Sequence, residues 1–264
     1  MAVTGLLCVA AFAVVPTDAW ASEHTAPSAA GVADALAAVD EIDGSLLLTP
    51  TDDAGVGSVE VGQGTVAVPT SPDDDITMSA RGQDVLSVRL PMADDAANAV
   101  VMEDGTVIYP GEEFSGSVIV SDIGVQMLTT IAGPESPVAY SYELSLEPGQ
   151  TLRIVEDGAV VVNGDGSIVA AVAQPWARDA DGEEVATHYE VDGSTLIQIV
   201  DHASAEGVAY PVVADPIWLA PWVVRCLVGI GINGPTITRI ASSGSPGAVL
   251  AAFGYGAFRC LIGR

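Results

Sequence analysis

Thr151–His202 reads TLRIVEDGAVVVNGDGSIVAAVAQPWARDADGEEVATHYEVDGSTLIQIVDH, and its rhythm decides the fold class. Leu152–Val155 leads into Asp157-Gly158, and Ala159–Val162 leads into Gly164-Asp165-Gly166. Ser167–Ala173 follows, then Asp181-Gly182, Glu184–Val191, Asp192-Gly193 and Thr195–Val200. The segments are short and rich in β-branched residues, and Asp-Gly pairs supply the positive φ that tight hairpins require. The stretch therefore predicts an antiparallel meander.

Toward the N-terminus the same pattern continues less clearly. Ser58–Val68, Val85–Leu90, Thr106–Tyr109, Ser117–Val120 and Ala139–Leu146 are further strand candidates, while Thr51–Gly55, Ser71–Asp75 and Ala93–Ala97 read as loops. Gly31–Ile42 has Val32, Leu36 and Val39 at helical spacing and predicts a short helix. The expected architecture is mainly β, an antiparallel sandwich or meander body, with a small C-terminal α-helical hairpin subdomain.

Charge divides the chain sharply. The 264 residues carry a formal net charge of −27 and contain no lysine. Residues 22–215 hold 34 acids and four arginines, whereas residues 216–264 hold four arginines (Arg225, Arg239, Arg259, Arg264) and no acid. The change falls at Asp215-Pro216, and proline restricts the chain there. The expected organisation is an export signal over 1–21, a flexible N-terminus with a short helix over 22–45, an acidic β-rich domain over 46–215 and a cationic hydrophobic helical segment over 216–264. Such acidity excludes nucleic acid as a partner, because phosphates are neutralised by clustered basic side chains.

Gly5–Val15 (GLLCVAAFAVV) is an apolar run of eleven residues, the length of a signal-peptide core and too short to span a bilayer. A small-x-small site follows at Ala19-Trp20-Ala21, so cleavage is expected between Ala21 and Ser22. Met1–Thr4 lacks the basic residue that such signals usually carry.

Beyond Pro216 the sequence predicts three helical pieces: Leu219–Ile232, with Trp218 and Trp222 one turn apart, then Thr236–Ala241, then a helix opened by Ser245-Pro246 and running to Ile262. Ala248, Ala252 and Gly256 form a small-residue stripe on the last. Val224-Arg225-Cys226-Leu227-Val228-Gly229 is echoed by Phe258-Arg259-Cys260-Leu261-Ile262-Gly263. Cys226 and Cys260 are the only cysteines after residue 21, and in an exported chain such a pair is expected to form a disulfide stapling two helices. A cationic, apolar, tryptophan-bearing segment suits an anionic membrane surface, and suits a helical subdomain packed on the β body equally well.

No chemical signature accompanies this architecture. The sequence has no G-x-S-x-G and no H-E-x-x-H. His188 and His202 sit on or beside neighbouring predicted strands without a cysteine or acidic cluster at metal spacing. Asp179-Ala180-Asp181-Gly182 resembles the middle of a calcium loop, but Ala177 and His188 would occupy its first and last ligand positions, so a β-turn is the better reading. Gly229-Ile230-Gly231-Ile232-Asn233-Gly234 matches a dinucleotide fingerprint on paper; Pro235 follows at once and no acid lies downstream, so it reads as a helix end. No catalytic residue, cofactor or metal site is expected.

Pro175-Trp176-Ala177, Thr187-His188-Tyr189-Glu190-Val191, Gln198-Ile199-Val200-Asp201-His202 and Tyr210-Pro211-Val212-Val213-Ala214-Asp215-Pro216 together resemble a group of uncharacterised secreted actinobacterial proteins. In that group a β-rich region ending in a YPVVADP-like motif precedes a variable hydrophobic, Gly-rich tail. The resemblance covers roughly residues 150–216 and implies a secreted, Gram-positive setting; no functional residue transfers with it. The expectation is a secreted, non-enzymatic protein acting as an extracellular binding or structural protein. The alternative is a precursor or carrier of a C-terminal cationic, membrane-active, bacteriocin-like peptide.

Overall fold

The computed structural model describes residues 28–81, 83–91, 95–243 and 246–262. The expected export signal and the Ala21–Ser22 cleavage point lie outside the described residues. The chain is mainly β, with two antiparallel sheets and a C-terminal helical piece, and neither sheet closes into a barrel. After helix α1 (Ala29–Ile42) come β1 (Gly57–Val61), β2 (Gly64–Val68), β3 (Ile76–Ala80), β4 (Gln83–Arg89), β5 (Val100–Val101), β6 (Val107–Tyr109), β7 (Phe114–Ser121), β8 (Gly124–Ile131) and β9 (Ala139–Leu144). The second half holds β10 (Thr151–Val155), β11 (Gly158–Val162), β12 (Ile168–Val172), β13 (Ala177–Arg178), β14 (Thr187–Asp192), β15 (Thr195–Val200), β16 (Val212–Ala214) and β17 (Ile217–Leu219). Helices α2 (Pro221–Gly229), α3 (Gly234–Ala241) and α4 (Pro246–Leu261) end the chain.

One sheet runs β1-β2-β3-β4-β9-β15-β14 and the other β10-β11-β12-β17-β8-β7-β6-β5, with β16 paired to both β8 and β13. The first sheet shows the alternation of a half-covered surface: every second residue of β2, β3 and β15 is buried. The second is covered on both faces at its centre, where all eight residues of β7 and all eight of β8 are buried. Phe114 of β7 packs edge-on against Tyr140 of β9 with ring centroids 5.3 Å apart, and the Thr129 and Tyr142 hydroxyls hydrogen-bond at 3.1 Å between the sheets. α1 lies near β6 and β16, while α2 and α3 cover β11 and β12.

The hairpins over Thr151–Val200 form largely as their sequence predicts, but they do not make one meander. β10, β11 and β12 stay in the second sheet, whereas β14 and β15 join the first. Ser58–Val68 is not one strand but the β1–β2 hairpin. The β10–β11 turn is Glu156-Asp157, and Gly158 already belongs to β11. That glycine answers to packing: a Cβ there would lie 2.6 Å from the Val172 carbonyl oxygen and 2.9 Å from Thr238 of α3.

The largest departure concerns Pro216. The segment after it begins with a strand: β17 lies between β12 and β8 inside the second sheet. Trp218 is therefore a fully buried strand residue and not the first turn of a helix, which starts at Pro221. β16 and β17 lie consecutively along β8, with Val212 opposite Ile131 and Ile217 opposite Gln126. Asp215-Pro216 is the step between them, where the Pro216 carbonyl still accepts the Met127 N–H at 2.9 Å. The charge boundary is real in the sequence, yet it cuts through a sheet.

Candidate functional site

The Tyr210–Pro216 block around Asp215 builds a buried polar centre. Asp215 is fully buried, and its Oδ1 accepts the backbone N–H of Trp176 at 3.1 Å. The Asp215 N–H in turn donates to the Trp176 carbonyl at 3.3 Å. Burial raises the Asp215 carboxyl well above the ordinary carboxylate range, opposed by the Trp176 backbone and the nearby Gln126 and Trp176 side chains. Tyr189 and Tyr142, from the facing sheet, are raised chiefly by their own burial and secondarily by Asp215 or, for Tyr142, by burial with Asp215 the lesser upward cause. The Asp215–Trp176 pair holds the β16–β17 step within the second sheet.

The residues singled out in the sequence separate into different places. His188 is exposed on β14, 3.7 Å from Glu190. His202 is buried beyond β15, its Nδ1 2.9 Å from the Tyr210 hydroxyl and its Nε2 3.0 Å from the Pro137 carbonyl. Each histidine therefore has its own partners. Asp179 closes a turn, with its own carbonyl accepting Gly182 N–H at 2.9 Å. Its carboxylate accepts the backbone N–H groups of Asp181, Glu183 and Ala209, which is the hydrogen bonding of a structural aspartate. Gly229–Gly234 is the expected helix end: α2 stops at Gly229, and Asn233 caps α3 by accepting the Thr236 N–H at 3.1 Å.

Cys226 and Cys260 are disulfide-bonded, with Cα atoms 5.5 Å apart, and the bond ties α2 to α4. Inside it, Leu227 and Leu261 are buried; beside it, Arg225 and Arg259 are exposed. The repeated Arg-Cys-Leu triplet thus does the same job twice, pointing leucine inward and arginine outward around one covalent bond. α4 breaks its helical geometry at Gly254 (φ 84°). Around the hairpin large apolar side chains stand in solvent: Ile230 (51 % exposed), Leu250 (42 %), Tyr255 (66 %) and Ile262 (37 %). Ile230 lies against Gly256, within 3.4 Å of where a Cβ would be, and the Tyr255 and Phe258 rings are 6.1 Å apart. Among the described residues no helix is long and apolar enough to cross a membrane.

A concavity of about 560 Å³ opens between α1, the Leu47–Pro50 segment and the Met102–Thr106 turn. No sequence pattern announced it, because its walls come from segments far apart in the chain. Its base is apolar, with Leu36, Leu48 and Ile119 all buried. Its floor is pinned by a buried side chain: Gln126 Nε2 donates to the Leu46 carbonyl at 2.9 Å and Oε1 accepts the Leu48 N–H at 2.8 Å.

Compared with models of known protein families, with curated proteins and with solved structures, this chain finds no match.

Proposed function

We propose that the protein is an exported, non-catalytic binding protein that docks on an anionic surface of the cell envelope through the α2–α4 face. The observation that carries this reading is the exposed apolar set Ile230, Leu250, Tyr255 and Ile262 on a disulfide-tied hairpin flanked by Arg225 and Arg259. Four large apolar side chains on one disulfide-tied pair of helices, flanked by arginines, suit an interfacial helix, with apolar groups in the acyl boundary and cations at the headgroups. The chain from Pro216 onward contains no acid, so nothing in it opposes an anionic lipid. Export is supported by the apolar run ending in Ala19-Trp20-Ala21 and by the disulfide, which persists in oxidising compartments.

The test is flotation with vesicles of phosphatidylglycerol against vesicles of phosphatidylcholine. The protein is expected to float only with the anionic vesicles, less so at high salt, and Arg225→Gln/Arg259→Gln and Tyr255→Ser are each expected to weaken it. Equal partitioning to both lipids, or none to either, rules the reading out. Release of the tail as a free peptide is the less favoured alternative, because cutting at Pro216 would have to withdraw β17 and the buried Trp222, Val224, Ile237 and Ile240 from the core.

A further inference from the structure

The concavity under α1 has chemistry of its own, separate from the α2–α4 face. Three features make it a formed site. First, its α1 wall is low: Ala33, Ala37 and Asp40 line it at spacings of four and three on one stripe of the helix, with Gly44 just beyond the helix end, so alanine and glycine leave space beside a helix whose Val32, Leu36 and Val39 are buried. Second, its other walls are held. Gln126 pins Leu46 and Leu48, the Thr51 N–H donates to the Val120 carbonyl at 2.9 Å, and the facing turn closes through Met102 N–H to the Thr106 carbonyl at 2.8 Å. Third, its rim has one sign of charge. Asp40, Glu103 and Asp104 line it and no arginine or histidine does. Asp104 is engaged locally, accepting both the N–H and the hydroxyl of Thr106 at 2.9 and 3.0 Å. Asp40 and Glu103 are exposed carboxylates with no salt bridge to a basic side chain among the described residues.

An apolar base of Leu36, Leu48 and Ile119 takes a hydrocarbon body, and two rim carboxylates take a positive head. An anion there would meet the carboxylates of Asp40, Glu103 and Asp104 and no basic side chain of the lining. We infer that this cleft is a binding site for a small amphipathic organic cation, an ammonium group on an apolar body.

Isothermal titration of the intact protein with octylammonium, octanol and octanoate tests the assignment, since the three probes share a tail and differ in head charge. Octylammonium is expected to bind at one site at least about fivefold more tightly than octanol, with octanoate weakest, because a partly desolvated ion pair adds to a common apolar contribution. Asp40→Asn/Glu103→Gln, both exposed positions, is expected to erase the preference for octylammonium over octanol and leave octanol binding unchanged. Ala37→Leu, also exposed and compatible with a helix, is expected to weaken all three probes together by filling the cleft. Octanoate binding as tightly as octylammonium, no saturable heat, or unchanged affinity in Ala37→Leu would each overturn the inference. So would loss of octylammonium binding in Tyr255→Ser, which would place the probe on the α2–α4 face.

Discussion

Asp215 and Trp176 exchange a reciprocal pair of contacts, the carboxylate accepting the Trp176 N–H at 3.1 Å and the Asp215 N–H donating to the Trp176 carbonyl at 3.3 Å. This pair fastens the step between β16 and β17 to the strand beside it. It also places a carboxyl where water does not reach. Burial raises its pKa above the ordinary value of 3.8, so the folded chain keeps a proton that the unfolded chain releases. With fewer protons on the unfolded state, stability falls as pH rises from about 4. Asp215→Asn keeps an acceptor for Trp176 and cannot ionise. The variant is expected to unfold at higher urea than the parent at pH 7, with the difference shrinking toward pH 4; a constant difference across that range would refute the account.

Cys226 and Cys260 close a loop of 34 residues that contains α3. On the chain-entropy estimate a bond across such a span stabilises the fold by about 3–4 kcal/mol. Cys226→Ser/Cys260→Ser is expected to lower the urea midpoint accordingly and to make α4 the first site of limited proteolysis, since α4 packs mainly on α2. Reduction of the parent protein should reproduce both effects.

Gly64 lies under Trp222, and a Cβ there would fall 2.2 Å from the indole ring and 2.3 Å from the Ser79 carbonyl oxygen. Gly64→Ala is expected to destabilise the protein by about 1–3 kcal/mol, the cost of forcing an atom into a packed contact. Gly164→Ala, where the nearest atom is 3.7 Å away, serves as the neutral control. Trp222→Leu combined with Gly64→Ala should recover part of the loss, measured as a double-mutant cycle by thermal unfolding.

Gln126 is a fully buried amide whose side chain substitutes for a neighbouring strand by bonding the backbone on both sides of Leu47. Gln126→Leu leaves the Leu48 N–H and the Leu46 carbonyl without that partner, and a loss of about 1–3 kcal/mol is expected. The same variant should speed amide exchange at Leu48 selectively, which a general loss of packing would not do.

Much of the fold was legible in residue pattern. The helix over Gly31–Ile42, the hairpins of the Thr151–Val200 stretch and the presence of helical pieces at the C-terminal end follow from local rules, because apolar spacing, Asp-Gly turns, Asn233 and the prolines act within a few residues; the break at Gly254, which divides the expected last helix, does not. β8 escaped, although it is the strand on which β7, β16 and β17 align. Its sequence, GVQMLTTI, carries polar residues that the structure buries, so no inside–outside alternation marks it. β17 escaped for a related reason: three residues between two prolines-bounded turns cannot display a period, and Trp218 beside Trp222 mimics a helical stripe.

The chemistry was less legible than the architecture. Pairing Cys226 with Cys260 needed no coordinates, because only one partner existed for each after residue 21. The disulfide's setting, with two arginines outward and two leucines inward, follows from the duplicated triplet once each copy sits on a helix. The cleft under α1 is different. Asp40 and Glu103 are far apart in the chain, and only the folding of α1 across the second sheet puts them on one rim.

Sequence alone determined the mainly β class, the approximate places of the turns between Thr151 and Val200, the cysteine pairing and the division of charge at Pro216, since each is a property of neighbours or of composition. Tertiary structure decided that this division is not a structural boundary. β17 is drawn into the sheet because its three apolar residues and their backbone groups are satisfied only between β12 and β8, a partnership across nearly a hundred residues that no local pattern records.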